Sequence, residues 1–248
     1  MFYICIPVHN EAPTIGLLLW RLRKVFQEFS REYEVLVYDD ASTDATRETL
    51  EPYTRVLPLT ILGRPEHRGY AGAMEALLRE ASKRTRYPRR DAVITLQGDF
   101  TDQPEHLHEL IKRFEGGADI VVGERASGDG APQPVRRMLR AAPWVLRPFA
   151  RVQGVGDLTG ALRLYRVSLI RDLLKAEPDA PLAQGPVWAA NADLLVRLSR
   201  FARKVESLPL APRYDLRPRE SRIRPLRDAL DLFKFGRASR ARWAVRAP

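Results

Sequence analysis

Residues 2–44 read FYICIPVHNEAPTIGLLLWRLRKVFQEFSREYEVLVYDDASTD, and their patterning decides the fold class. Phe2 to Pro7 is a β-branched and aromatic run of the kind that makes a buried strand. From Ala12 to Phe29 the spacing becomes helical, with apolar residues at Ile15, Leu18, Leu19, Leu22, Val25, Phe26 and Phe29. Glu34 to Tyr38 is a second strand, and Asp39-Asp40-Ala41-Ser42 turns the chain toward a helix from about Thr43. The alternation continues through strands at Val56–Leu62, Asp91–Leu96 and Ala118–Gly123. Helices fall at Gly69–Ser82 and from Pro104 to about Glu115. Strands and helices alternating at this spacing predict an α/β, doubly wound, mostly parallel sheet with helices on both faces.

Beyond Gly130 the pattern loosens. Ala131 to Pro148 contains four prolines and reads as broken helix and loop. A strand is expected at Leu162–Tyr165, helices at Val167–Lys175 and Ala189–Phe201, and a last strand at Lys204–Leu210. Ala176 to Pro186, rich in Pro, Ala and Gly, is the expected flexible loop. There is no internal repeat and no low-complexity tract.

The formal charge of +10 over 248 residues is unevenly placed. Residues 1–130 hold 17 Lys/Arg against 21 Asp/Glu, whereas residues 131–248 hold 24 against 10. A basic half suits an anionic partner, either nucleic acid or a phospholipid surface; a general preference for Arg on solvated faces accounts for the total better than for the asymmetry. Residues 211–248 form a basic C-terminal segment with 11 cations and 4 anions. Leu226, Leu230 and Phe233 share one helical face there, either for an anionic lipid interface or for packing back onto the domain. No apolar run approaches the roughly 18–20 residues of a membrane span. There is no signal-peptide pattern, and Cys5 is the only cysteine. The expectation is a cytoplasmic chain, peripheral at the inner face of the membrane, without a transmembrane helix.

Ligands of open α/β sheets bind beyond the carboxyl ends of the strands, and polar clusters stand at those ends. They are His9-Asn10-Glu11, Asp39-Asp40, Gln97-Gly98-Asp99 and Glu124-Arg125. Carboxylates converging on one rim repel one another unless a cation or a donor-rich ligand sits among them. Mg²⁺ bridging a diphosphate is the economical answer. No GxxxxGK[ST], no GxGxxG after the first strand and no HExxH is present, which weakens the cases for a P-loop ATPase, a Rossmann dehydrogenase and a zinc protease. His106 and His108, two apart on an expected helix, face different ways and read as solvated.

Six ordered segments together carry a family resemblance. They are IPVHNE (6–11), VYDDASTD (37–44), HRGYAGA (67–73), LQGDFTDQPE (96–105), DIVVGER (119–125) and DLTGALRLY (157–165). From about Ile4 to Ile223 the chain resembles family 2 glycosyltransferases of the GT-A fold, in the dolichyl- or polyprenyl-phosphate sugar transferase branch. The resemblance implies a GT-A domain over 1–210. Its nucleotide-sugar-binding half would be 1–130 and its acceptor half 131–210.

It also implies roles for individual residues. Pro7, Asn10, Glu11, Asp39, Asp40 and Gly98 would bind the donor nucleotide, a UDP- or GDP-sugar. Asp99, with Gln97 and Thr101, would hold Mg²⁺ or Mn²⁺. Arg125 would sit near the phosphates, Asp157 would act near the acceptor as general base, and Arg163 would order that region. Arg136, Arg137, Arg140, Arg217, Ser221 and Arg222 would gather an acceptor phosphate. His9 stands where the family usually has Tyr, with base stacking as its candidate role; Tyr70 reads as packing, and Asp44 as a helix N-terminal carboxylate. Gln97 replaces the first Asp of the metal motif and Thr101 its Gln, which lowers the anionic charge there. The implied activity is inverting transfer of a sugar to a polyprenyl phosphate, with no nucleic acid as partner. The alternatives are transfer to a glycan or small molecule, a basic nucleic-acid-binding module without catalysis, and a non-catalytic relative.

Overall fold

A strand that is apolar at every position must be covered on both faces, and β1 (Phe2–Val8) is buried along its whole length. In the computed structural model, which describes residues 1–125, 132–210 and 224–244, it lies inside a seven-stranded sheet. The chain continues through α1 (Ala12–Glu28), β2 (Tyr33–Asp39), α2 (Thr46–Leu50), β3 (Leu59–Gly63), α3 (Gly69–Arg84), β4 (Ala92–Thr95), α4 (Leu107–Glu115) and β5 (Ile120–Arg125). Then come α5 (Gln133–Leu146), β6 (Arg163–Arg166), α6 (Val167–Ala176), α7 (Val187–Ser199), β7 (Val205–Leu210) and α8 (Pro225–Ala244). The strand order is β3-β2-β1-β4-β6-β5-β7, with β6 antiparallel to both neighbours and every other pair parallel. The mostly parallel, doubly wound sheet expected from the alternation is therefore what forms.

Successive side chains of a strand point to opposite faces, so the sheet feeds two cores. Ile4, Ile6, Val35, Val37 and Ile94 share one with Ile15, Leu18 and Leu22 of α1 and with Leu110 and Ile111 of α4. Tyr3, Cys5, Leu36, Tyr38 and Val93 share the other with Met74 and Leu77 of α3, Met138 of α5, Leu195 of α7 and Leu232 of α8. The chain leaves β1 toward β2 and β3, then returns to place β4 on the other side of β1. That reversal opens a crevice beyond the carboxyl ends of β1 and β4.

Several local expectations are corrected. The proline-rich stretch after residue 131 forms the continuous helix α5. Pro134 lies in its first turn, where no N–H is needed. Pro143 is internal, yet Val135, Met138, Ala142 and Leu146 are all buried and offset the lost bond. The helix expected from Thr43 begins only at Thr46. A 3₁₀ turn at Glu51–Arg55 follows it and delays β3 to Leu59. The loop 176–186 is pinned: Arg197, fully buried, donates to the carbonyls of Pro181 (2.6 Å) and Leu182 (2.9 Å). Among the described residues no helix is long and apolar enough to cross a membrane. Helix α8 packs back through Leu232, Gly236, Ser239 and Trp243, and leaves Leu226, Leu230 and Phe233 exposed.

Candidate active site

The carboxyl ends of β1, β2, β4 and β5 open on one cavity of about 390 Å³. Pro7, His9 and Glu11 reach it from the end of β1, Asp40 from β2, Gln97, Gly98, Asp99 and Thr101 from beyond β4, and Arg125 from β5. Asp40 and Asp99, at separate strand ends in the sequence, thus share one cleft. The far wall is Tyr70 of α3, Val135 of α5, Thr159, Pro186 to Ala189 at the start of α7, and Asp228, Asp231 and Leu232 of α8.

The turns that deliver these groups are strained and locked. Asn10 (φ 56°), Ala41 (φ 56°) and Phe100 (φ 62°) are left-handed non-glycine residues just after β1, β2 and β4, a conformation costing roughly 1–2 kcal/mol each. Asn10 ties two turns together: its N–H donates to Ser42 Oγ (3.0 Å), and its Oδ1 accepts from Thr43 N–H (2.8 Å). Asn10 therefore shapes the rim and does not itself line the cavity. Asp44 does what a helix N-terminal carboxylate does, accepting from Ala12 N–H at the start of α1 (3.3 Å) and from Thr46 N–H (3.0 Å). At Gly98 a Cβ would stand 2.7 Å from Val8 Cγ1; the bare backbone lets its carbonyl accept from Thr14 Oγ1 at 2.8 Å.

Asp39 and Asp40 part company. Asp39 accepts from Ser42 N–H (3.1 Å) and faces a separate small cavity with Ser42 and Arg47. Asp40 reaches the main cavity; its buried carboxylate accepts from Arg68 N–H (2.7 Å) and lies 3.0 Å from His67 Nδ1.

For a divalent cation, Asp99 supplies a carboxylate, with Gln97 and Thr101 near it in sequence and in the cavity wall. Asp99 Oδ1 accepts from Thr101 N–H (3.0 Å), and the buried Thr101 Oγ1 has no hydrogen-bond partner. One carboxylate, an amide and an unpartnered hydroxyl fit a Mg²⁺ or Mn²⁺ ion that takes its remaining oxygens from a diphosphate and water. Among the described residues no group of three or more His, Cys, Asp and Glu side chains stands ready to hold a metal. His106 is half-buried and His108 packs on Phe29 at 4.3 Å, and neither is a ligand candidate.

At the opposite end Arg125 is aimed by three groups. Its Nε donates to Asp157 Oδ2 (3.0 Å), its Nη2 donates to Thr159 Oγ1 (2.8 Å), and the guanidinium lies 4.8 Å from the Trp188 ring centre. Asp157 also accepts from Thr159 N–H (2.8 Å) and Gly160 N–H (3.1 Å). Burial alone would raise its pKa, but the charge and hydrogen bond of Arg125 and the bonds from Thr159 hold it down at about 2. So committed a carboxylate is a poor proton acceptor at neutral pH, and it does not line the cavity. The geometry around Asp157 is that of a group that orients Arg125. Arg163 also stays out of the cavity: it is 1% exposed and donates to the carbonyls of Leu158 and Asn191, which fixes the 157–160 turn against α7.

Arg136, Arg137 and Arg140 sit on α5, with Arg137 and Arg140 exposed, and none reaches the cavity. Arg217, Ser221 and Arg222 lie outside the described residues. The sequence reading gave no site role to His67, Thr159, Trp188, Asp228 or Asp231. His67 and Thr159 stand inside quoted motifs and were within reach; Trp188 and the two α8 aspartates carry no local signal, since only tertiary packing brings them to the cleft. Tyr70 lines the cavity while its hydroxyl donates to Asn191 Oδ1 at 2.8 Å.

A strand-end cleft of this form, with acids on one rim and an oriented arginine on the other, defines a GT-A type α/β glycosyltransferase architecture. The profile of Glycosyl transferase family 2 matches residues 3–174, and the chain belongs to that family. This sets aside the nucleic-acid-binding alternative. The chain is 27% identical over 212 residues to an undecaprenyl-phosphate 4-deoxy-4-formamido-L-arabinose transferase of Pseudomonas fluorescens, covering 84% of this chain and 56% of that one. The protein of the same name from Photorhabdus laumondii is 26% identical over 179 residues, 69% of this chain and 51% of its own. The chain thus spans about half the length of the curated relatives it matches. Among solved structures, glucosyl-3-phosphoglycerate synthase of Mycobacterium tuberculosis superposes with a TM-score of 0.66 at 15% identity, over 97% of this chain and 80% of that one. S. aureus TarS in complex with UDP gives 0.59 at 20% identity, over 85% and 59%. These likenesses show the fold.

Proposed function

We infer that the chain transfers a sugar, with inversion, from a nucleoside-diphosphate sugar to a polyprenyl-phosphate acceptor. The observation that carries this is the meeting of Asp40, Asp99 and Arg125, from three strand ends, in one cavity. The donor nucleotide lies along β1 and β2, in the half formed by residues 1–125, and the acceptor enters from the α5, α7 and α8 side. The matched relatives carry undecaprenyl phosphate in their names, and one structural neighbour was solved with Mn²⁺ and UDP.

Asp99, Gln97 and Thr101 would hold the divalent ion, which when bound supplies positive charge to a departing diphosphate. Arg125 faces the same leaving charge from the other side, pre-oriented by Asp157 and Thr159, so little reorganisation is needed as that charge develops. Glu11, buried beside β1, closes the acid rim, and its N–H is fixed by donation to Thr46 Oγ1 (2.8 Å). A hydroxyl acceptor needs a base, and the carboxylate that sequence reading offers for it is paired to Arg125. A phosphate acceptor arrives as an anion and requires only alignment. That favours a lipid phosphate over a glycan hydroxyl.

The decisive experiment screens UDP- and GDP-sugars for transfer to a short-chain polyprenyl phosphate, alongside thermal shift with Mn²⁺ and UDP or GDP. Transfer with one donor is expected, together with a metal-dependent rise in melting temperature that Asp99→Asn abolishes. No shift with any nucleotide and no transfer from any donor would defeat the reading.

A further inference from the structure

Two histidines at the donor end of the cavity have no task in the reaction as described. His9, just past β1, and His67, two residues before α3, both line the cavity, with ring centres 4.7 Å apart and planes inclined at 54°. Each directs Nδ1 at the same atom, the main-chain oxygen of Asp40, at 2.8 Å for His9 and 3.1 Å for His67. A carbonyl oxygen has no proton to give, so both bonds run from an Nδ1–H. A neutral imidazole has only one N–H, which leaves Nε2 of each ring as an acceptor. Asp40 thereby sets the tautomer of both rings, and its Oδ2, 3.0 Å from His67 Nδ1, also helps orient the second.

Asp40 spends part of its own capacity within the fold: its carboxylate is buried, with Oδ1 accepting from Arg68 N–H and Oδ2 3.0 Å from His67 Nδ1. The two imidazoles it holds add acceptors to this rim. We propose that Nε2 of His9 and Nε2 of His67 are the acceptors offered to the donor's base, one of them for the single ring N–H of a uracil or both for the ring and amino N–H of a guanine, and that Asp40 is their positioning residue. This rests on the cavity being a nucleotide-sugar site.

Protonation reverses the reading. An imidazolium donates from both nitrogens, so a charged ring no longer accepts from the base. The charged groups facing this cavity are Glu11 beyond β1, Asp40 beyond β2, Asp99 beyond β4, Arg125 on β5, and Asp228 and Asp231 on α8, with Arg68 next to His67 in the chain. Mildly acidic pH should therefore weaken recognition of the base while leaving attraction for phosphate intact.

Calorimetric titration of the full chain with UDP and with GDP at about pH 8 and about pH 5.5 tests this, with inorganic pyrophosphate as an arm that lacks a base. The nucleotide that binds is expected to lose about tenfold in affinity at the lower pH relative to pyrophosphate, over a range where an ordinary imidazole goes from mostly neutral to mostly charged. His67→Gln and His9→Gln keep an amide oxygen near Nε2 without a titrating group, so each should flatten the pH profile, whatever affinity it keeps at the higher pH. Identical pH profiles for nucleotide and pyrophosphate in the wild type would overturn the inference, as would unchanged profiles in both Gln variants. The wild-type comparison stands even where a variant fails to fold. If pyrophosphate binds but neither nucleotide does at either pH, the nucleotide-sugar reading falls and this inference falls with it.

Discussion

Arg125 holds its place because Asp157 is ionised, and this makes one side chain responsible for both stability and rate. The folded-state pKa of Asp157, about 2, lies below the ordinary carboxylate value. Such a group adds stability that is complete above about pH 4 and is lost as the pH falls through about 2. Asp157→Asn should cost roughly 2 kcal/mol at neutral pH, and urea melts should show the gap from wild type closing as the pH drops toward 2. Turnover should fall about 10²-fold, because a guanidinium displaced by an ångström no longer meets the leaving charge, while donor affinity changes little. Unchanged turnover would clear Asp157 of a part in positioning. Ala41, left-handed at φ 56°, makes the opposite case. Ala41→Gly removes a penalty of roughly 1–2 kcal/mol and adds about 0.5–1 kcal/mol of chain entropy to the unfolded state. A net gain of up to about 1 kcal/mol should appear as a higher urea midpoint at constant slope. At this scale the sequence was most legible where chemistry follows a strand directly. Gln97-Gly98-Asp99 and Asp40 reach the cleft as read, whereas the groups that hold Asp40 there, Arg68 N–H and His67, come from a turn 27–28 residues further on and carry no local signal at Asp40.

Helices were read correctly where burial follows one period and less well where prolines intervene. In α5 the count of prolines argued for a break, but their places argue the reverse, since Pro134 is in the first turn and the buried stripe runs past Pro143. Helix α8 was ambiguous for a different reason: it carries two apolar stripes, and sequence alone does not say which one packs. The structure answers through Asp193, fully buried on α7. Its Oδ1 accepts from Arg242 Nη2 (2.7 Å) and Trp243 Nε1 (2.8 Å), and its Oδ2 from Gln184 N–H (3.1 Å). Close approach does the rest, with Gly185 against Phe235 and Gly236 against Phe149. Asp193→Ala takes a charged partner from Arg242 and the acceptor from Trp243, while Arg197 keeps Glu177 and the Pro181 and Leu182 carbonyls, a loss of roughly 2–3 kcal/mol. Hydrogen exchange should show residues 225–244 opening well before the sheet. Since Asp228, Asp231 and Leu232 wall the cavity, transfer should weaken under conditions where β1 and β2 remain protected. Simultaneous loss of protection in the sheet and in α8 would show that the helix has no independent seat.

For the molecule as a whole, the uneven charge read from the sequence acquires a direction. The acidic half builds the cleft rim, and α5 and α8, which pack on each other, carry exposed cations and exposed apolar side chains. Trp144 on α5 is 72% exposed with Arg147 stacked on it at 4.9 Å, and Leu226 (90%), Leu230 (51%) and Phe233 (42%) are exposed on α8. Arg137 and Arg140 on α5, and Arg227, Lys234 and Arg237 on α8, are exposed as well. Both helices also wall the cavity, through Val135 and Leu232. On the proposed lipid-phosphate reading, aromatic, aliphatic and cationic groups exposed on these two helices would suit an anionic bilayer surface. Truncating the C-terminal helix would be a poor test, because it uncovers Leu232 and Trp243, both buried. Replacing Trp144, Leu226 and Leu230 together by Ser touches no buried residue and spares Phe233, whose ring meets Phe149 at 5.3 Å. At roughly 1 kcal/mol for each partly inserted side chain, the triple variant should partition about 10²-fold less onto vesicles containing anionic phospholipid. What binding remains should vanish as salt is raised, being purely electrostatic. Sedimentation of the triple variant equal to wild type at every salt concentration would mean that this face meets something other than a membrane.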